Sequence, residues 1–124
     1  MIAIDYPTIT VGERTLVVRY SLAAQVLMGR RGIDICKLGE MLAPTNPSGP
    51  SNMLQVFAAC VAENFTGDSP ETFSLDRTPT ADYWATQLSH LQFREVDRVL
   101  GEAMGKAMEE LRAAAGPPKL VAAS

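Results

Sequence analysis

The sequence predicts an α+β fold that is mostly α-helical, with an N-terminal β-hairpin packed on a small bundle of about five helices. Residues 8–20 alternate between apolar and polar side chains on both sides of a glycine, which is the pattern of two half-buried strands. Most later apolar residues recur at helical spacing. Because an isolated two-stranded hairpin is marginally stable in water, the hairpin must lie on the helices or pair with another chain.

The hairpin is predicted to have one inward face and one outward face. Glycine favours turns with positive φ, so a three-residue turn, Gly12-Glu13-Arg14, is expected to join the strands. The inward face is predicted to carry Ile9, Val11, Leu16 and Val18.

Two short helices are predicted to follow the hairpin. Ser21 can cap the first, which runs to about Arg30, and the second spans about residues 33–43 before Pro44 ends it. Arg30 and Arg31 suit the negative end of the helix dipole, and a small basic docking patch is the alternative. The apolar stripes are predicted at Leu22, Ala23, Val26 and Leu27 in the first helix and at Ile35, Leu38 and Leu42 in the second.

The middle of the chain is predicted to supply the central helix. Residues 44–50 are dense in proline and turn formers and are expected to form a loop. The helix then runs from Ser51 or Asn52 to about Asn64 with almost no polar face, as in a buried core helix. Cys36 and Cys60 lie in apolar helical segments and are expected to pack as reduced, small hydrophobic residues.

A long polar loop and a short helix are predicted next. Residues 66–80 are expected to form a surface loop, with Phe73 and Leu75 folded back onto the protein. Thr78 or Thr80 can cap a helix that contains Trp84. Trp84 is expected to fill the core against the central helix, and the alternative is that an exposed Trp84 anchors a partner.

The last helix is predicted over about residues 92–115. Glu102 with Lys106 and Glu109 with Arg112 have the spacing of surface ion pairs. Small residues and methionine on the apolar face indicate that a partner helix could pack there, and packing within the domain is the alternative. That face carries Phe93, Val96, Leu100, Ala103, Met104, Ala107, Met108 and Leu111.

Residues 1–116 are predicted to form a single globular domain, and residues 117–124 a flexible tail. The formal net charge is −3, and residues 50–124 carry ten acidic but six basic side chains, which argues against nucleic acid as a partner. No apolar run approaches the roughly 20 residues that cross a bilayer, so no membrane partner is expected. The N-terminus has no secretory pattern, so a cytoplasmic location is expected.

No catalytic, cofactor or metal site is predicted. His90 is the only histidine and two separated cysteines are too few to complete a zinc site with it. The glycine spacings do not match a phosphate-binding or dinucleotide-binding loop. A noncatalytic protein is therefore expected, and a small enzyme or regulator that uses His90 is the weaker alternative.

Residues 9–24, Ile-Thr-Val-Gly-Glu-Arg-Thr-Leu-Val-Val-Arg-Tyr-Ser-Leu-Ala-Ala, resemble the tail assembly chaperones of long-tailed bacteriophages and gene transfer agents. The resemblance implies a noncatalytic protein of the host cytoplasm that binds the tape-measure protein and helps recruit tail-tube protein. Such a protein is absent from the mature virion. The family often has a second product made by ribosomal frameshifting, and the codons of Pro117-Pro118-Lys119 can contain a slip site.

Two surfaces are predicted to bind partners, including further copies of the chain in a homo-oligomer. The first is the hairpin edge, and the second is the apolar face of the last helix, with Trp84 as a further anchor. A structural head–tail or tail-completion protein is the main alternative function. The candidate partner-binding residues are Thr8, Ile9, Thr10, Val11, Trp84, Leu100, Met104, Ala107, Met108 and Leu111.

Overall fold

The structure is a computed structural model that describes residues 5–65 and 74–115. It confirms the predicted α+β, mostly helical fold with an N-terminal hairpin. Short 3₁₀ turns occupy Ile35–Lys37, Ala62–Phe65 and Leu75–Arg77. The regular elements of the described residues are β1 (Thr8–Val11), β2 (Arg14–Val17), α1 (Leu22–Arg30), α2 (Leu38–Met41), α3 (Gly49–Cys60), α4 (Ala81–Gln87) and α5 (His90–Ala115).

The hairpin has the predicted faces but a shorter turn. Its strands are antiparallel, and the predicted inward residues are all buried. The turn has two residues, not the predicted three, because Val11 pairs directly with Arg14. Gly12 has a φ of +64° while Glu13 has a negative φ, which is the pattern of a type II′ turn.

Helix α1 has the predicted cap and a different buried face. The Ser21 hydroxyl accepts a hydrogen bond from the Ala24 N–H at 3.1 Å, as predicted. The predicted stripe is wrong at Leu22 and Val26, which are 76% and 41% exposed. Helix α1 is apolar around most of its circumference, so the spacing of its apolar residues does not determine which face is buried. Packing against α3 determines it. The buried side chains are Ala24, Leu27 and Met28.

Two segments between α1 and α3 differ from their predictions. The predicted continuous helix is split into a 3₁₀ turn and α2, and the Asp34 side chain caps the start of the turn by accepting from the Cys36 N–H at 2.9 Å. Cys36 is exposed, contrary to its predicted packing. Helix α3 begins at Gly49, inside the predicted loop, because proline is favoured in the first helical turn and Pro50 occupies it.

The core forms around the second half of α3, as predicted. Residues 56–62 are all buried, and α1, α2, α4 and α5 contact this helix. Trp84 is 3% exposed and packs edge-on against Phe57, with ring centroids 5.3 Å apart, so its predicted place in the core is confirmed. Burial raises the pKa of the Cys60 thiol to about 12, which keeps it protonated at neutral pH.

Helix α5 begins two residues before its predicted start. The Ser89 N–H donates to the Gln92 side chain at 2.8 Å, and the Gln92 N–H donates to the Ser89 hydroxyl at 3.2 Å, which together form a capping box. The buried part of its apolar stripe consists of Val96, Val99, Leu100 and Ala103.

The ion pairs on α5 differ from the predicted pairs. Arg98 pairs with both Glu95 and Glu102, since one guanidinium can donate to carboxylates on two adjacent turns. Lys106 pairs with Glu109 at 3.6 Å. The predicted pairs, Glu102 with Lys106 and Glu109 with Arg112, do not form.

Two predicted segments fall wholly or partly outside the described residues. Residues 66–73 of the predicted loop, including Phe73, lie outside the described residues. Leu75, in the described part of that loop, packs on the core as expected. Thr80 occupies the N-cap position of α4, but its side chain makes no capping hydrogen bond. The predicted tail at residues 117–124 also lies outside, and the described residues share one hydrophobic core.

Substitutions of two leucines on α1 will distinguish its buried face from its exposed face. We expect Leu27→Ala to lower the free energy of unfolding by about 2–5 kcal/mol, because it leaves a cavity in the core. Leu22→Ala, the matched control on the same helix, should change it by less than about 0.5 kcal/mol. Urea denaturation followed by circular dichroism measures both, and equal losses would contradict the observed face.

Candidate functional site

The structure places the predicted partner-binding residues in separate environments. Four side chains are almost fully buried in the core: Ile9, Val11, Trp84 and Leu100. Thr8 and Thr10 are exposed on β1. On α5, Met104 and Ala107 are half-buried, while Met108 and Leu111 are exposed. These residues therefore do not form one continuous site.

The edges of the hairpin are partly covered by side-chain amides. The Asn64 side chain donates to the Val17 carbonyl at 2.8 Å and accepts from the Val17 N–H at 3.1 Å, as a neighbouring strand would. On the other edge, the Gln92 side chain donates to the Thr10 carbonyl at 2.9 Å. Covering an edge in this way limits pairing with other chains. Sequence reasoning missed both contacts, because each joins residues far apart in the chain.

Removal of the Asn64 amide will test its contribution to the hairpin. Asn64→Ala loses the two contacts with Val17 and a third to the Val61 carbonyl, and we expect unfolding to become easier by about 1–2 kcal/mol. Gln87→Ala, which removes an exposed amide from α4, is the control and should be close to neutral. Chemical denaturation measures the stability of both variants. If Asn64→Ala were as stable as the wild type, the Asn64 amide would not stabilise the hairpin.

A cluster of charges and hydroxyls attaches the outer part of α5 to the hairpin. The Arg19 guanidinium donates to the Glu110 carboxylate at 2.8 Å and lies 3.8 Å from the Glu63 carboxylate. The Tyr6 hydroxyl also donates to Glu110, and the Ser21 hydroxyl donates to Glu63. The Tyr6 hydrogen bond, supported by that of Arg19, lowers the pKa of the Glu110 carboxyl. We call Tyr6, Arg19, Ser21, Glu63 and Glu110 the Arg19 cluster.

The lowered pKa of Glu110 predicts a pH-dependent contribution to stability. The contribution is fully present above the ordinary glutamate pKa of about 4.3 and is lost as the pH falls through the lower pKa of the folded state. The stability difference between wild type and Glu110→Gln should therefore shrink in acid. Thermal unfolding between neutral and acidic pH measures it. Glu109→Gln, on the solvent side of the same turn, is the control, and a pH-independent difference for Glu110→Gln would contradict the assignment.

An apolar groove lies between α3, α4 and the start of α5. It has a volume of about 480 Å³, and a smaller recess of about 190 Å³ shares Pro50 and Phe93 with it. No aspartate, glutamate, lysine or arginine side chain lines either one. The groove is lined by Pro50, Leu54, Trp84, Ala85, Leu88, Ser89, His90 and Phe93, and the recess adds Leu42, Ala43, Pro44, Asn46, Gly49 and Met53.

The break between α4 and α5 positions the lining of the groove. Leu88 has an extended backbone, and its N–H donates to the Trp84 carbonyl at 3.0 Å, which ends α4. The capping box of Ser89 and Gln92 then starts α5 and places His90 and Phe93 beside the groove. Within the described part of the chain, no hydrogen bond or ion pair joins the His90 side chain to another residue. The catalytic alternative for His90 therefore gains no geometric support.

No protein-family model matches the chain, and no curated protein or solved structure is significantly similar to it. Within residues 5–65 and 74–115, no group of three or more metal-ligating side chains is close enough to hold an ion. No helix in these described residues is both long enough and apolar enough to span a membrane.

Sequence reasoning found the floor of the groove but not the groove itself. The sequence predicts Trp84 in the core, with a partner anchor as the alternative, and predicts Phe93 only on the apolar face of the last helix. The Ser-x-x-Gln pattern at Ser89 is a signature of a helix start. It marks the break between α4 and α5 and is the signal that could have located this part of the groove.

Proposed function

We propose that the protein is a noncatalytic tail assembly chaperone that binds an apolar helical segment of a tape-measure protein in the groove between α3, α4 and α5. The observation that carries this proposal is the mainly apolar lining of the groove, which contains no aspartate, glutamate, lysine or arginine. Apolar grooves of this kind accept the apolar face of an amphipathic helix, with anchor side chains spaced three or four residues apart.

The packing beneath the groove favours a preformed binding surface. Trp84 forms its floor and is held by edge-on contacts with Phe57 and Phe65, at centroid distances of 5.3 and 5.7 Å. A rigid aromatic floor reduces the ordering cost of binding. Each large apolar side chain of a partner that becomes fully buried contributes about 1.5–3 kcal/mol before such costs.

The resemblance of residues 9–24 to tail assembly chaperones supplies the biological context of the proposal. A tape-measure protein exposes apolar helical surface until the tail tube surrounds it, and a chaperone that covers this surface prevents premature association. In this proposal the protein acts in the host cytoplasm, helps recruit tail-tube protein and leaves before the virion is complete.

A charge placed in the groove should abolish binding. We expect the wild type to co-purify with the tape-measure protein of the same gene cluster. The amount of tape-measure protein that co-purifies with Ala85→Glu should be at least ten-fold lower, because the substitution places a carboxylate in the apolar lining. Ala85 is exposed, so the fold should tolerate the substitution. Gln87→Glu adds the same charge to α4 outside the groove and should bind normally. Thermal unfolding of both variants verifies folding.

Two outcomes would contradict the proposal. One is a tape-measure protein that stays soluble alone and never co-purifies with the wild type. The other is unchanged binding by Ala85→Glu. Mass spectrometry of mature particles tests the alternative of a head–tail or tail-completion protein, since a chaperone should be missing from them and a structural protein should be present.

A further inference from the structure

We propose that the outer face of α5 is a self-association surface on which α5 of a second copy packs in the antiparallel direction. We call this the outer face and define it by Asp97, Gly101, Gly105, Met108 and Arg112. None of these residues is buried, and none lines the groove described above. The inference therefore goes beyond the proposed function and does not depend on it.

The five residues form one continuous stripe along the helix. Their spacing of four, four, three and four residues follows the helical repeat over about four turns. Asp97 and Arg112 lie at opposite ends, about 22 Å apart along the axis. The stripe is thus long enough to contact another helix over several turns.

The middle of the outer face is shaped for close approach. A side-chain Cβ added at Gly101 or Gly105 would meet no atom of the described chain within 4 Å, so packing within the chain does not require glycine there. Glycine in the interior of a helix is nevertheless less favourable than alanine. The missing side chains leave a shallow hollow, and the neighbouring Met108, which is 51% exposed, is a flexible apolar side chain that can enter the hollow of a second copy.

The charges at the two ends determine the direction of pairing. Within the part of the chain that the structure describes, Asp97 and Arg112 form no ion pair, whereas most of their charged neighbours on α5 are paired: Glu95, Arg98, Glu102, Lys106 and Glu109. A two-fold axis between Met104 and Gly105 places Asp97 of each copy opposite Arg112 of the other. The same axis places Met108 opposite Gly101. A parallel arrangement would oppose like charges, so the outer face is complementary to itself only in the antiparallel direction.

The experiment measures association over a range of protein concentrations by sedimentation velocity. The wild type should show a concentration-dependent monomer–dimer equilibrium. Gly101→Leu should raise the dissociation constant at least ten-fold because it fills the hollow, while leaving the fold intact. Ala113→Leu, an exposed α5 position outside the stripe, is the matched control and should dimerise like the wild type.

Charge exchange tests the direction. Asp97→Arg and Arg112→Glu should each raise the dissociation constant at least ten-fold, and the double variant should restore it, because the pairs re-form with reversed sign. A monomer at every concentration would overturn the proposal, and so would dimerisation that Gly101→Leu does not weaken. Failure of the double variant to restore association would overturn the antiparallel arrangement. Ala85→Glu should dimerise normally, which separates this result from the test of the groove.

Discussion

Burial of the C-terminal end of α3 is the constraint on which the rest of the structure depends. Main-chain carbonyls at a helix end have no partner within the helix, and burying them unpaired is unfavourable. Two of the partners come from nearby in space: the Arg19 N–H donates to the Cys60 carbonyl at 2.9 Å, and the Asn64 side chain donates to the Val61 carbonyl at 2.9 Å. The hairpin exit therefore supplies one of the hydrogen bonds that the end of the central helix needs. The hairpin is too small to be stable alone, and the hydrogen bond from the Arg19 N–H to the end of α3 helps to hold it on the helices.

The same central helix also determines where a groove can form. Phe57 supplies the surface against which Trp84 packs, and this contact holds α4 on α3. Helix α4 has only seven residues and ends at Gln87, so the chain must turn before α5 can pack against the hairpin. The capping box of Ser89 and Gln92 makes this turn possible, because it satisfies donors that the helix start leaves free. The apolar groove lies at this junction.

The sequence predicts those features that depend on local pattern. Alternation identifies the buried side of the hairpin, and the nearly complete absence of polar residues identifies α3 as the core helix. Local pattern fails for α1, since Leu22 and Leu27 are equally apolar and only contact with α3 decides which is buried. It also fails for the hairpin edges and the groove, because Asn64, Gln92 and the groove lining meet residues distant in sequence. These contacts follow from tertiary packing that no single segment encodes.

The length of α5 requires an explanation beyond the core. Its buried side chains end at Ala103, and from Met104 to Ala114 no side chain is fully buried. An unsupported helix end frays, because little free energy opposes local unfolding. The Arg19 cluster supplies the missing support: Glu110 is bound by Tyr6 and Arg19, six residues or more beyond the last core contact of α5. Holding α5 near both ends keeps its outer face ordered before any partner arrives, so a partner that packs there need not provide the free energy of ordering it. The Arg19 cluster therefore supports the segment of α5 that carries the outer part of the proposed self-association stripe.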